Sequence, residues 1–115
     1  MEVLFYHNGG DNPVMNSINS LERKDKIKIL TKLELIEEKG LDVPLDLKQI
    51  KGVKKLWEIK IRLQAGGYRI FYFMLEGDKI MLLHAFVKKA QKTPIKEIKI
   101  AKARMSEVMN NGSSC

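Results

Sequence analysis

"YRIFYFMLEGDKIMLLHAFVKKAQKTP", residues 68–94, decides the fold. It contains two mostly apolar runs of strand length joined by "EGD", a turn tripeptide. The first, "YRIFYFML", is apolar on both faces and reads as a central strand. The second, "KIMLLHAFV", reads as its antiparallel neighbour. Each run carries a group foreign to a core, Arg69 in the first and His84 in the second. Lys88, Lys89 and Lys92 then follow together.

Immediately upstream, "LWEIKIRL" alternates cleanly, with Trp57, Ile59, Ile61 and Leu63 on one side and Glu58, Lys60 and Arg62 on the other. Period two marks a half-buried strand. "QAGG" supplies a hairpin connection, so these segments form a meander of three antiparallel strands. Downstream, Thr93-Pro94 reads as an N-cap and first-position proline. The helix that follows carries an apolar stripe of Ile98, Ala101, Met105 and Val108.

Towards the N-terminus, "EVLFYH" reads as a first strand and "NGGDNP" as a turn. Pro13 opens a helix bearing Val14, Ile18 and Leu21. Ser20 is placed to cap a second helix, with a stripe of Ile29, Leu33 and Ile36, Leu30 beside it, and Gly40 as its stop. "ERKDKIK" within it reads as a solvated face. "LDVPLDLKQIKGVKK", with Pro44 and Gly52, reads as an irregular link with one short helical turn. The class is α+β. Residues 1–109 form one domain, and residues 110–115 are expected to be a disordered polar tail.

The composition fits a single domain: 115 residues, 44% hydrophobic and 30% charged. A net charge of +7 and a pI near 9.5 point to an anionic partner, whether nucleic acid, acidic membrane or acidic protein. The lone Cys115 makes no internal disulfide, which suits a reducing cytoplasm, and its place in the tail argues against a nucleophile. No apolar run reaches the roughly 20 residues of a membrane helix. The N-terminus lacks the pattern of a signal peptide.

A fully buried, unpaired guanidinium is prohibitively costly. Arg69 is therefore expected to reach an open sheet face or a carboxylate such as Glu58. His84 falls on the parity of Ile80, Leu82 and Phe86, and Lys88 and Lys89 lie just beyond that strand. A compact meander can gather these groups on one surface suited to RNA binding and metal-free cleavage. Arginine's planar fork contacts two phosphate oxygens together. Crowded lysines lose basicity, and histidine titrates near neutrality. No metal cluster is visible, since His7, His84 and a distant cysteine do not make a zinc site. Each residue also has an ordinary reading. Arg69 would be a structural partner of Glu58, His84 a hydrogen-bonded core residue, and Lys60 and Arg62 a wet strand face. Lys88, Lys89 and Lys92 would be solubility charges. Trp57, Phe71 and Phe73 read as core rather than as base-stacking platforms.

The pieces "LWEIKIR", "YRIFYF", "LLHAFVKKAQKTP" and the "EI…A" start of the last helix resemble the HigB branch of the RelE/ParE toxin superfamily, whose members include phage-derived proteins. The strand, Pro13, "SLERKDKIKIL" and "LIEEKGL" extend the resemblance over nearly the whole chain. It implies a fold like the small microbial ribonucleases, with N-terminal helices and a C-terminal helix on a small twisted antiparallel sheet. It also implies a cytoplasmic type II toxin that cleaves mRNA in the ribosomal A site through the RNA's own 2′-hydroxyl, with no metal or cofactor. A helix-turn-helix antitoxin of HigA type would silence it, and the complex would bind operator DNA. Carried over by position, Arg69, Lys60, Arg62, His84, Lys89 and Lys92 are the catalytic candidates. Lys88, Lys55 and Glu58 are the substrate contacts, with Glu58 a further candidate base. The family's C-terminal tyrosine is missing, since no tyrosine follows Tyr72. That leaves the proton-transfer groups open among His84, Lys60, Lys92 and Glu58. The alternative implied by the superfamily is a binding-only protein, either a ParE-like gyrase poison or an inactive antitoxin-binding relative.

Overall fold

The computed structural model describes residues 1–89 and 91–113. Along the chain come β1 (Glu2–Phe5), α1 (Pro13–Asn19), α2 (Arg23–Lys39), β2 (Asp46–Gln49), β3 (Trp57–Leu63), β4 (Gly66–Leu75), β5 (Lys79–Lys88) and α3 (Ile95–Ser113). The strands form one open sheet in the order β1-β5-β4-β3-β2. The meander β3–β4–β5 is antiparallel and β4 is central, as its two apolar faces require. The class is α+β, three helices on a five-stranded sheet.

Both outer strands depart from the sequence reading. β1 runs parallel to β5, pairing Val3 with Ile80 and Phe5 with Leu82, so the sheet is mixed rather than purely antiparallel. The expected irregular link contains β2, which pairs Asp46 with Lys60 and Lys48 with Glu58. A strand of four residues with three of them exposed is a typical protected edge, short and charged. Its apolar content was too small to show as a strand beside Pro44.

The sheet separates two cores. On one face α1 and α2 cover Ile59, Ile61, Tyr68, Ile70, Tyr72, Ile80 and Leu82, using Val14, Ile18, Ile29, Leu33 and Ile36. On the other, α3 contributes Ala101 and Met105 against Phe71, Phe73 and Leu83. The helical stripes are those the periodicity predicts. Gly40 ends α2 at φ +79, its amide bonded to the Ile36 carbonyl. Ser20 caps nothing on α2. It closes α1, and Glu22 is the N-cap of α2 without a side-chain bond. Pro94 stands just outside α3, its carbonyl accepting from the amides of Glu97 and Ile98. The helix continues through Ser113, into the stretch read as tail, while Ser114 and Cys115 lie outside the described residues.

Asp25, read as part of a solvated helix face, is only 2% exposed. It accepts hydrogen bonds from the backbone amides of Gln64 and Ala65 at 2.9 and 3.1 Å, so α2 grips the β3–β4 turn. Lys28 Nζ donates to the Arg62 carbonyl beside it. An aspartate among lysines looks solvated in any one-dimensional reading, because the amides that need it lie 39 residues away.

Replacing Asp25 strands two backbone donors at that turn. Asp25→Ala is expected to lower unfolding stability by about 1–3 kcal/mol, read from urea denaturation. Asp25→Asn, which keeps one acceptor oxygen, is expected to lose roughly half as much.

Candidate nucleic-acid interface

The α3-side face of the sheet is covered over only part of its length. Phe71, Phe73 and Leu83 lie under the helix. The other end of the same face displays Lys60 and Arg62 from β3, Gly67 and Arg69 from β4, and Lys88 from β5. Register brings them together: Lys60 is opposite Arg69, Arg62 opposite Gly67, and Gly67 opposite Lys88.

Arg69 is the centre of this cluster. Its Nε lies 3.9 Å from Glu58 Oε2, and the two side chains are 15% and 2% exposed. Glu58 thus supplies the counter-charge that an arginine in a central strand needs. The pair is too long for a hydrogen bond, and neither Arg69 Nε nor Glu58 Oε2 has a hydrogen-bond partner among the described residues. The guanidinium is therefore held by charge, its buried Nε left without a hydrogen bond.

Two grooves flank the pair. One of about 500 Å³ is lined by Lys60, Arg62, Gly67 and Arg69, with Asp46 on its β2 wall. The other, about 260 Å³, is lined by Glu58, Lys48, Lys88 and Lys92. The ion pair contributes one partner to each. Lys88 has its pKa lowered, first by burial and then by Arg69, with Lys60 and Lys48 adding to the shift and Glu58 opposing it. An amine so depressed gives up its proton more readily.

His84 is not part of this cluster. β5 carries a bulge, so that Phe71 faces His84 but Tyr72 faces Leu82. The extra residue reverses the side-chain parity. His84 therefore shares a face with Phe86 but not with Ile80 and Leu82, contrary to the alternation expected from sequence. Its ring is spent on α3, with Nε2 3.0 Å from Glu97 Oε2 and Nδ1 3.2 Å from Arg104 Nη1. Arg104 can only donate, so Nδ1 is the acceptor and Nε2 carries the hydrogen. Arg104 Nη1 also donates to the Leu83 carbonyl, and its guanidinium lies over the Tyr6 ring, whose hydroxyl donates to Glu107. Sequence inspection missed Arg104. Its signal was an arginine on the apolar side of the last helix, one residue before Met105.

Lys55 also falls elsewhere. At φ +74, just before β3, it lines an apolar cleft of about 590 Å³ with Trp57, Phe73, Met74, Val108 and Met109. That cleft is the larger one, but it gathers no cluster of charge. Lys89 follows β5, is exposed, and lines neither cationic groove. Lys92 does line the second one. Phe71 and Phe73 are buried core. Among the described residues, no group of three or more histidine, cysteine, aspartate or glutamate side chains comes together to hold a metal ion. No helix among them is long and apolar enough to cross a membrane.

Residues 16–106 match the family described as "Phage derived protein Gp49-like (DUF891)". The chain belongs to this family. The Gp49-like proteins are a phage-derived, toxin-like family related to RelE and HigB. The matched span includes every residue of the cationic cluster, so the Gp49-like assignment and the site concern the same part of the chain. No curated protein matches it.

The His84 arrangement has a pH consequence. Burial pushes the His84 pKa below 6.5, with the Glu97 contact opposing and Arg104 assisting. The unfolded chain then takes up a proton first as pH falls. The stabilisation from neutral His84 is complete above about 6.5 and declines as pH drops below it. Melting temperatures measured between pH 7.5 and 5.5 are expected to fall in the wild type, and to fall less steeply in His84→Gln.

Proposed function

We propose that this Gp49-like chain is the toxin of a toxin–antitoxin pair and an endoribonuclease that cuts mRNA on the ribosome, halting translation in the cytoplasm. The observation that carries this reading is Arg69. Its guanidinium is tethered by Glu58, lacks a hydrogen-bond partner at Nε, and is ringed by Lys60, Arg62 and Lys88. Phosphate neutralisation leads nucleic-acid affinity, and fixed cations stabilise a phosphorane-like transition state.

The chemistry assigned to the cluster is internal transesterification. A base removes the proton of the RNA 2′-hydroxyl, and the 2′-oxygen attacks the adjacent phosphorus. The bond from phosphorus to the 5′-oxygen breaks, an acid protonates that oxygen, and a 2′,3′-cyclic phosphate remains. No outside reagent is consumed. In this reading Glu58, at the wall of the second groove, serves as the base, and Lys88, with its lowered pKa, as the acid. His84 is left out, since both its ring nitrogens serve α3. The partner in this reading is a helix-turn-helix antitoxin, whose complex with the toxin binds operator DNA.

A binding-only role, as a gyrase poison or an inactive antitoxin-binding relative, is favoured by one observation. Histidine, the side chain that titrates near neutrality without assistance, is absent from the cluster.

Arg69→Lys keeps a cation beside Glu58 but loses the fork. It is expected to melt like the wild type while mRNA cleavage and growth arrest on induction drop by about 10²–10³-fold. Undiminished growth arrest with intact mRNA and inhibited supercoiling would replace the nuclease with the gyrase reading.

A further inference from the structure

β4 outruns one of its two neighbours. Its pairing with β5 continues to Leu75, which faces Lys79. Its pairing with β3 stops at Tyr72, which faces Trp57. The chain turns away from the sheet just before Trp57. Lys55 takes φ +74, outside the extended region, and the Leu56 carbonyl accepts from the Ile50 amide. Among the described residues, Phe73, Met74 and Leu75 therefore have no backbone partner on the β3 side. Strand backbone groups point alternately to the two edges. At least one of these residues thus presents its N–H and C=O to an empty strand position.

The apolar cleft of about 590 Å³ lies at that position, lined by Trp57, Phe73, Met74, Leu75, Val108 and Met109. Trp57 packs with the core under α1 and α2, whereas Phe73, Leu75 and Val108 pack with the core under α3. Met74 alternates with Phe73 and Leu75, so it points to the Trp57 side. The cleft thus touches both sides of the sheet, as a further stretch of strand in line with β3 would. Met74 and Met109 are 46% and 41% exposed, large apolar side chains left in solvent. An open apolar edge is a template for another chain. The approach to it is basic. Lys51, Lys54 and Lys55 are exposed on the link leading into β3, against Glu76 on the rim.

We propose that this vacant strand position is a docking site for an extended, acidic segment of a partner protein, which pairs with residues 73–75 as a short added strand. Main-chain hydrogen bonds complete the edge of β4, and alternate apolar side chains fill the cleft from the two sides of the sheet. Flanking carboxylates meet the lysines of the link. A second copy of the chain fits poorly, since each copy carries a net charge of +7 and brings the same lysines to the contact. Leu75 stands six residues beyond Arg69 on β4, about 20 Å along the strand, so an occupant here leaves the cationic cluster open. The docking site does not rest on the nuclease reading, and its test needs no RNA.

The probe is a capped heptapeptide with leucine, valine and isoleucine at its centre and two acidic residues at each end, titrated into the full chain. Trp57, the one tryptophan, lines the cleft and reports binding by fluorescence. Amide hydrogen exchange reports on residues 73–75. Saturable binding is expected, with new protection of at least one amide among them. A peptide N-methylated at its central amides keeps its side chains and loses its donors, and a peptide with lysines for the acids reverses the charge. Each is expected to bind at least about tenfold more weakly. Met109→Glu, at an exposed helix position, is expected to melt like the wild type and to bind the acidic peptide about tenfold more weakly. Equal binding of the N-methylated or lysine peptide, protection confined to other amides, or no binding would each overturn the docking site. Protection of the same amides that rises with protein concentration in the absence of peptide, with a dimer in sedimentation, would give the edge to a second copy and overturn it too. Peptide pairing at residues 73–75 in a protein that leaves mRNA intact would support the docking site and overturn the nuclease reading alone.

Discussion

The site depends on how the fold accommodates one positive charge in its central strand. β4 must be apolar on both faces to lie in the middle of the sheet, yet it carries Arg69. Glu58, on the neighbouring strand and 2% exposed, is the answer. A carboxylate so buried is itself costly, so each group justifies the other. At 3.9 Å the pair shares charge without sharing a hydrogen bond. That geometry compensates the charge of the arginine and leaves its buried Nε without a hydrogen bond.

The position of α3 turns this local compromise into a surface. The helix covers the end of the sheet face that carries Phe71, Phe73 and Leu83, and leaves open the end that carries Lys60 and Arg62. Polar contacts help to fix it there. Arg104 reaches the Leu83 carbonyl and His84, Glu97 takes the other histidine nitrogen, and Glu107 accepts from Tyr6. The histidine and the arginine that both looked out of place in the sequence therefore have separate purposes. His84 anchors the helix, and Arg69 occupies the part of the face that the helix leaves open.

Much of this was legible in the sequence because it depends on period and parity. Alternation in "LWEIKIRL" placed Glu58, Lys60 and Arg62 on one face, and the cost of a buried guanidinium led to Glu58 as partner for Arg69. What escaped notice depends on contacts between distant residues or on a single inserted residue. The bulge at Leu83 reverses parity and moves His84, and nothing in "MLLHAFV" announces it. Asp25 resembles its lysine neighbours until the turn amides it binds are brought to it. The parallel pairing of β1 and the short edge strand β2 follow from tertiary packing, not from local pattern. Lys55, at a left-handed backbone position, lines an apolar cleft and neither cationic groove.

The coupling between Arg69 and Glu58 is the most direct measure of this account. It is obtained from a double-mutant cycle of Arg69→Gln, Glu58→Gln and the pair, read as unfolding free energies. The account predicts an interaction of about 0.5–3 kcal/mol, the range for residues in contact in one charged network. Additivity to within about 0.3–0.5 kcal/mol, as for independent sites, would mean that Glu58 does not hold the arginine and would contradict it.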